Sequence, residues 1–364
     1  MITAVAMSGG VDSSAAAWLL LNDPEIGNLY PDNYLIGVTH WWDELRLSSP
    51  GLQERAASVC ERLGISYHIL DLGGDFRRKV MDDFAANYVQ GMTPNPCVRC
   101  NEKIRFTEFY GRCLEVAEKL PDFNKDEFRF CTGHYVRTEE KDGRIFLRKA
   151  ADPAKDQSYM LYRIPADVLS HCIFPLGSFT KERIKDIAAE HGFFGTAIKE
   201  SQDICFIDDD YVSFLKRHLS PEALERTDKP GTIFDTEGNK LGPSRGFLHY
   251  TIGQRKGLGL GDGPWYVAEV DAAENRVVVG RKDQLGSSEF SVGELNWFIE
   301  PPTEIFECRV QVRYNSTEYT CRLIPVGGGV RVELDGSAVA TPGQSAVFYD
   351  GELVLGGGII ERMK

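Results

Sequence analysis

Three cysteines and one glycine-serine turn carry the spacings that could do chemistry in this chain. Cys97 and Cys100 form a CxxC in Asn95-Pro96-Cys97-Val98-Arg99-Cys100-Asn101, and Cys205 lies in Ser201-Gln202-Asp203-Ile204-Cys205-Phe206-Ile207. A CxxC can be half a zinc site, a redox pair or a source of nucleophilic sulfur. No second CxxC and no Cys/His pair with finger spacing accompanies it, so a closed four-ligand zinc site is disfavoured. Two prolines, Pro94 and Pro96, are expected to hold residues 91–101 as a loop, away from helix. Cys205 has apolar neighbours and by itself reads as an inert buried thiol. Cys60, Cys113, Cys131, Cys172, Cys308 and Cys321 fall in periodic helix or strand contexts and read as packing residues.

The turn is Ser8-Gly9-Gly10-Val11-Asp12-Ser13-Ser14, directly after the apolar run Ile2–Met7 and at the start of an apolar helix candidate, Val11–Leu21. Two glycines allow close backbone approach, and a helix start offers unpaired N–H groups at the positive end of its dipole. A plain capped turn is the bland alternative, but the position after a first strand favours an anion site. Asp12 would repel a bare phosphate, which makes sense if Mg²⁺ binds with it. The loop resembles the pyrophosphatase loop of ATPases that cleave between the α- and β-phosphates.

The elements that must position these residues alternate strand and helix through the first half: strands near Tyr34–Thr39, Tyr67–Leu70 and Phe128–Thr132, helices near Leu52–Leu63, Phe76–Tyr88 and Ile104–Leu120. Such alternation predicts a parallel sheet with ligands beyond the carboxyl ends of its strands. Past about residue 220 short β-like runs recur at intervals near ten residues, predicting a C-terminal β-barrel or sandwich, with residues 230–263 irregular and Gly-rich between. The expected fold is α/β: a parallel-sheet nucleotide-binding catalytic domain (1–210), a small connector domain with a basic Gly-rich loop (211–284) and a C-terminal β-barrel (285–364).

Composition narrows the class. The chain has 364 residues with 42% hydrophobic and 26% charged, which is ordinary globular composition, and a formal net charge of −13. No apolar run approaches the length of a membrane span, and the first residues lack a signal or transit pattern, so a cytoplasmic protein with no membrane partner is expected. Nine cysteines without such a signal read as reduced thiols rather than a disulfide framework. The acidic balance argues against sequence-blind coating of nucleic acid. Yet residues 239–261 contain no Asp or Glu and hold Lys240, Arg245, Arg255, Lys256 and His249, a local excess of +4, with Tyr250 placed to stack on a base.

Taken in order, SGGVDSS, TPNPCVRCNEKIRF, TGHYVR, Lys155-Asp156-Gln157-Ser158-Tyr159, SQDICFI and TIGQRKGLG (from Thr251) make the chain resemble the tRNA-specific 2-thiouridylase family, with Arg313-Tyr314 and Pro342-Gly343-Gln344 extending the likeness to the end. The resemblance implies ATP-dependent thiolation of the wobble uridine at its 2-position, through adenylation of the base and sulfur transfer from a cysteine persulfide, with release of AMP and pyrophosphate. It places ATP on Ala6, Met7, Ser8, Gly9, Gly10, Val11, Asp12 and Ser13, with His40 and Gly133 beside the adenine, His40 through its backbone. It makes Cys205 the persulfide carrier and Cys100 its partner in a transient disulfide. It sets Asn95, Pro96 and Cys97 against the target base, and His134, Lys155, Asp156, Gln157, Arg313, Tyr314 and Gln344 against the anticodon arm of tRNA. A protein that donates persulfide sulfur is implied as a partner.

One departure stands out. Many family members have Asp at the position of Cys97, so an acid/base role there does not carry over. Cys97, Cys100 and Cys205 instead make a three-thiolate set, enough for a [4Fe-4S] cluster with one open iron, a second site chemistry beside persulfide and disulfide. Either way an ionised thiol is needed, which calls for a nearby cation; Lys199 and Lys155 are the candidates in sequence. Two rival functions keep part of the pattern: a small-molecule ligase of the argininosuccinate or GMP synthetase type, and a non-catalytic RNA-binding protein with a vestigial loop.

Overall fold

The computed structural model describes residues 1–42, 51–193 and 204–362, in two compact units. The first comprises residues 1–79, 97–206 and 351–355; the second comprises 80–96, 207–350 and 356–364. Among the described residues no helix is long and apolar enough to cross a membrane.

The first unit is built on a five-stranded sheet of β1 (Ile2–Ala6), β2 (Tyr34–Trp41), β3 (Ser66–Asp71), β4 (Arg129–Cys131) and β7 (Cys172–Ile173), in the order β3-β2-β1-β4-β7. Every pairing is parallel, as the alternation predicts. Strand order reverses between β1 and β4, and the crevice at such a switch point is where ligands of open parallel sheets bind. Helix α1 (Val11–Asn22) leaves β1 and packs Ala15, Ala16, Ala17, Leu19 and Leu20, all buried, into the core. Burying the two leucines contributes about 3–6 kcal/mol. A hairpin of β5 (Val136–Lys141) and β6 (Arg144–Lys149) follows β4.

The second unit holds two sheets. β10 (Tyr266–Asp271), β11 (Arg276–Gly280), β8 (Gly231–Asp235) and β9 (Lys240–Ser244) form the connector sheet in that order. Two of these strands lie where an irregular stretch was expected, because Gly231 and Gly242 dilute the apolar alternation that marks a strand. Six further strands close into a barrel: β12 (Ser287–Trp297), β15 (Gly329–Ala338), β14 (Tyr319–Val326), β13 (Phe306–Gln311), β16 (Ser345–Asp350) and β17 (Leu353–Ile360), with β17 pairing back onto β12. Closure removes the exposed edges that an open sheet would present. Phe290, Val292, Val310, Leu323, Val332 and Phe348 are buried within this unit. The fold is therefore the expected α/β class with a connector and a C-terminal β-barrel.

Candidate active site

A cavity of about 220 Å³ opens at the switch point of the first unit, lined by Ala6, Met7, Ser8, Asp12 and Ser13 from the first loop, Val38 and His40 from β2, and Thr132, Gly133 and His134 after β4. Arg105, Phe109 and Gln157 complete the lining. Gly9 has φ +71, and a Cβ there would lie 2.2 Å from the Leu52 carbonyl oxygen, so no other residue fits. At Gly133 an added Cβ would meet the Asp12 backbone at 2.9 Å. The start of α1 at Gly10 has no side-chain cap, while the Ser13 and Ser14 hydroxyls donate to the Gly10 carbonyl and Ser8 N–H donates to Ser13 Oγ. An uncapped helix start with close-packed glycines is an anion cradle.

Asp12 is not free for a metal. Lys181 Nζ lies 2.8 Å from both carboxylate oxygens, and the Tyr135 hydroxyl donates to Oδ1 at 2.8 Å. The Lys181 side chain is only 10% exposed. The charge that suggested Mg²⁺ in the sequence is thus met by a lysine 169 residues away, and the residues present do not fit a protein-held Mg²⁺ at this position.

Both histidines of the cavity are neutral. Burial, with Arg105 adding to it, pushes His40 and His134 down to about 3. Arg105 Nη1 lies 3.3 Å from His134 Nε2; since a guanidinium only donates, the His134 proton sits on Nδ1 and donates to Thr132 Oγ1 at 2.8 Å. His40 Nδ1 is buried without a partner. The His40 ring packs against Trp42 and Phe109. Its ring is followed by an aromatic chain: Trp42 at 4.5 Å, then Phe76 at 4.4 Å from Trp42, then Phe206 at 5.8 Å from Phe76. Phe206 is buried and fixes the backbone beside Cys205.

The CxxC is helical, contrary to the loop expected. Pro96 opens a short helix, Pro96–Arg99, where a missing N–H costs nothing, and the chain continues into a wide π-type segment, Cys100–Phe109. Glu102 anchors that segment: Arg163 Nε and Nη2 donate to its two oxygens at 2.7 and 2.9 Å. Burial alone would raise the Glu102 carboxyl, but Arg163 and Lys103 hold it down at about 2. Asn101 Nδ2 donates to the Met160 carbonyl at 3.1 Å, a further tie.

Cys97, Cys100 and Cys205 are near enough to act on one another electrostatically, so the structure gathers the three thiols that sequence singled out. Cys205 is exposed at its surface, not an inert core thiol, yet the surrounding protein, together with Cys100 and Cys97, pushes it up to about 12. The surrounding protein also raises Cys100 and, although it is exposed at the surface, Cys97. A lowered thiol was expected; the resting arrangement does the opposite. Among the described residues, the Arg105 guanidinium works against that rise at all three thiols. Lys199 and Ser201–Asp203 lie outside the described residues. Among the described residues no three His, Cys, Asp or Glu side chains are arranged to hold a metal ion.

The residues expected to touch tRNA separate. His134 and Gln157 line the nucleotide cavity, and Gln157 Oε1 accepts from the Tyr135 N–H at 2.8 Å. The Asp156 carboxylate holds its own turn, accepting from Ala150 N–H and Ser158 Oγ, with Lys155 half-buried beside it. In the second unit, Arg313 is exposed and Tyr314 half-buried in the turn after β13. Gln344 Nε2 donates to the Thr93 carbonyl at 2.6 Å, bracing the segment that ends in Asn95 and Pro96. Within the basic loop Arg245, Arg255 and Lys256 are exposed, but His249 pairs with Asp228 at 2.7 Å, and so does Lys216. Tyr250 is buried and accepts from the Arg245 N–H, so it does not offer a stacking face.

Sequence reasoning missed Arg105, Tyr135, Lys181 and the Glu102–Arg163 pair. Arg105 sits inside NEKIRF, but on a regular helix five residues from Cys100 would put it on another face. Lys181 carries no local signal at all, since only the fold brings it to Asp12.

Comparison with known proteins agrees with this geometry. A model described as tRNA methyl transferase HUP domain matches residues 1–209, one described as tRNA methyl transferase PRC-barrel domain matches 213–281, and one described as Aminomethyltransferase beta-barrel domain matches 287–360. The tRNA-specific 2-thiouridylase MnmA of Chloroflexus aurantiacus is 43% identical over 98% of both chains. That of Symbiobacterium thermophilum is 40% identical over 98% of this chain and 91% of its own. Among solved structures, the U34-tRNA thiolase NcsA from Methanococcus maripaludis with its [4Fe-4S] cluster overlaps 61% of this chain and 68% of that one, at 21% identity and TM-score 0.35, too loosely to inform the site. At such identity over nearly its whole length, the chain belongs to the tRNA-specific 2-thiouridylase family.

Proposed function

We propose that this chain replaces the 2-oxygen of the tRNA wobble uridine with sulfur, consuming ATP and using a persulfide on Cys205. The observation that carries the reading is the gathering of Cys97, Cys100 and Cys205 around Arg105, itself part of the nucleotide cavity. The domain descriptions mention methyl transfer, but a thiol group beside an anion cradle is the equipment for moving sulfur after activating an oxygen. In the division into 1–210, 211–284 and 285–364, the first part then carries the chemistry and receives the target base, while the other two add further tRNA contacts.

ATP in the loop Ala6–Ser13 supplies an AMP group that makes the uracil oxygen a leaving group, with pyrophosphate released. The uncapped N–H groups of α1 hold phosphate oxygens, Lys181 keeps the Asp12 charge from repelling them, and the neutral His40 offers its unpaired Nδ1 to the base. Cys205 carries a terminal sulfur received from a persulfide donor protein. Ionised Cys100 attacks the Cys205 Sγ; the Cys100–Cys205 bond forms, the bond to the terminal sulfur breaks, and hydrosulfide leaves with the electron pair. Hydrosulfide adds at C2 of the uridine, AMP departs with the oxygen, and loss of a proton leaves the thiocarbonyl. A low-molecular-weight thiol reopens the disulfide. No step passes through iron.

The experiment pairs iron and acid-labile sulfide analysis of anaerobically purified protein with thiolation by wild type, Cys97→Ala, Cys100→Ser and Cys205→Ser. Iron-free active protein, an active Cys97→Ala and two dead serine variants are expected. A cluster lost together with activity in all three variants would make the thiols ligands and send the search for the sulfur carrier elsewhere. Intact activity in both serine variants would return the chain to the small-molecule ligases.

A further inference from the structure

We propose that Cys308 and Cys321 form an oxidisable dithiol in the C-terminal barrel, a modification site that a low-molecular-weight disulfide converts to a cross-strand bond bracing the hairpin of Arg313 and Tyr314. The sulfur route above uses neither thiol, so the inference does not depend on it. Three observations carry it. Cys308 and Cys321 are register partners on β13 and β14. Their sulfurs lie 3.6 Å apart, in hydrogen-bond contact, and both are free thiols. Cys308 is half-buried and keeps a path to solvent, whereas Cys321 is only 2% exposed.

The sequence hides this meeting. Each cysteine alternates with exposed polar neighbours, Glu307 and Arg309 on one strand and Thr320 and Arg322 on the other, which is the pattern of an inward packing residue. Only the antiparallel register, with Val310 opposite Tyr319 and Phe306 opposite Leu323, sets the two directly across from each other on one face. Residues so placed have Cβ atoms about 4.5–5.5 Å apart, and a disulfide needs about 3.5–4.5 Å between Cβ atoms and about 2.05 Å between sulfurs. A small approach of the strands and a side-chain rotation therefore close the bond with no change of register. The hairpin is held from both sides meanwhile, since β13 also pairs with β16 and β14 with β15.

The difference in exposure sets the order of events. The Cys308 thiolate attacks one sulfur of the small disulfide; a mixed disulfide forms at Cys308, and the first small thiolate leaves with the electron pair. The Cys321 thiolate then attacks the Cys308 sulfur, the Cys308–Cys321 bond forms, and the second small thiolate departs. The two protons lost by the cysteines end on the two small thiols, so the protein pair is oxidised by two electrons and the reagent reduced by two. At rest the hydrogen bond with Cys321, burial and the Asp350 carboxylate all push the Cys308 thiol up, which makes the first step slow. The new bond joins residues thirteen positions apart and closes the loop whose turn holds Arg313 and Tyr314. Closing such a loop restricts the unfolded chain and so stabilises the hairpin.

The test uses the full chain as wild type, Cys308→Ser and Cys321→Ala. Each is incubated with glutathione disulfide, trapped with N-ethylmaleimide and mapped by mass spectrometry without reduction. Wild type should show a Cys308–Cys321 peptide link and little glutathione on either residue. Cys321→Ala should hold glutathione on Cys308, and Cys308→Ser should leave Cys321 several-fold less modified than that. Oxidation should raise the melting temperature of wild type several degrees more than that of either variant, each of which keeps the remaining thiols. The wild-type map needs no variant, so the test survives a variant that fails to fold. Glutathione that persists on wild-type Cys308, or two thiols still free after a day in excess reagent, overturns the site. A cross-link that leaves the melting temperature no higher than in the variants overturns the bracing.

Discussion

At the scale of single residues, the first question is what neutralises Asp12. A carboxylate in an anion cradle is tolerable only with a cation on it, and the structure supplies Lys181, bidentate at 2.8 Å and largely withdrawn from water. Removing the lysine leaves an uncompensated, half-buried negative charge where the phosphates are to sit. Lys181→Met should therefore weaken binding of α,β-methylene-ATP by about 2–3 kcal/mol, the cost of an unpaired charge in such a site. Adding Asp12→Asn should recover much of that loss, because the repulsion goes with the carboxylate. Calorimetric titration of the two variants and the double variant gives the coupling directly. Additive losses would mean that Lys181 acts on ATP by another path. The same measurement on Gly9→Ala should show no binding, since its Cβ has no space against Leu52.

Elements decide which residues meet. The segment Pro96–Ala117 was legible as apolar periodicity beyond Ile104, but its first turn was not, because proline was read as a helix breaker when it stands at a helix start, where it is tolerated. The widening after Cys100 leaves no mark in periodicity. The backbone of the first loop, by contrast, was legible, because a strand, two glycines and a helix start are local signals; the partner of its Asp12, the distant Lys181, was not. Glu102 and Arg163, 61 residues apart, show the opposite limit. Their pair makes a prediction on stability. Glu102 is held at about 2, below the ordinary carboxylate value of about 4.5, so its contribution is complete above about pH 4.5 and is lost as pH falls through 2. Glu102→Ala should cost about 3–5 kcal/mol at pH 7, because it strands Arg163 without its partner. The variant should also lose part of the wild type's steepening between pH 4.5 and 2. Denaturant unfolding at pH 7 and pH 3 checks both; an equal penalty at the two values would assign the loss to packing rather than to the ion pair.

For the whole molecule, the difficulty is that a chain of net charge −13 must hold a polyanion. The bulk sum cannot do it, and the basic run 239–261 is weaker than it looks, since His249 is committed to Asp228 and Tyr250 is buried. What remains exposed there is Lys240, Arg245, Arg255 and Lys256, and on the barrel Arg313. A few phosphate contacts against an acidic background make binding modest and strongly dependent on salt, with the logarithm of affinity falling by roughly 0.7–0.9 per contact for each decade of salt. Specificity then has to come from recognition of an already unpaired base, which suits a loop nucleotide better than a duplex. The prediction is quantitative. Arg255→Gln with Lys256→Gln should lower tRNA affinity and flatten the salt slope by about 2, one per contact removed, in filter binding between 50 and 200 mM salt. Arg313→Gln should subtract about one more. If the slope of the double variant matches wild type, these cations are a solvated surface, and the tRNA is held through neutral contacts elsewhere. A slope flattened by Arg313→Gln alone would place the phosphate contacts on the barrel rather than on the connector.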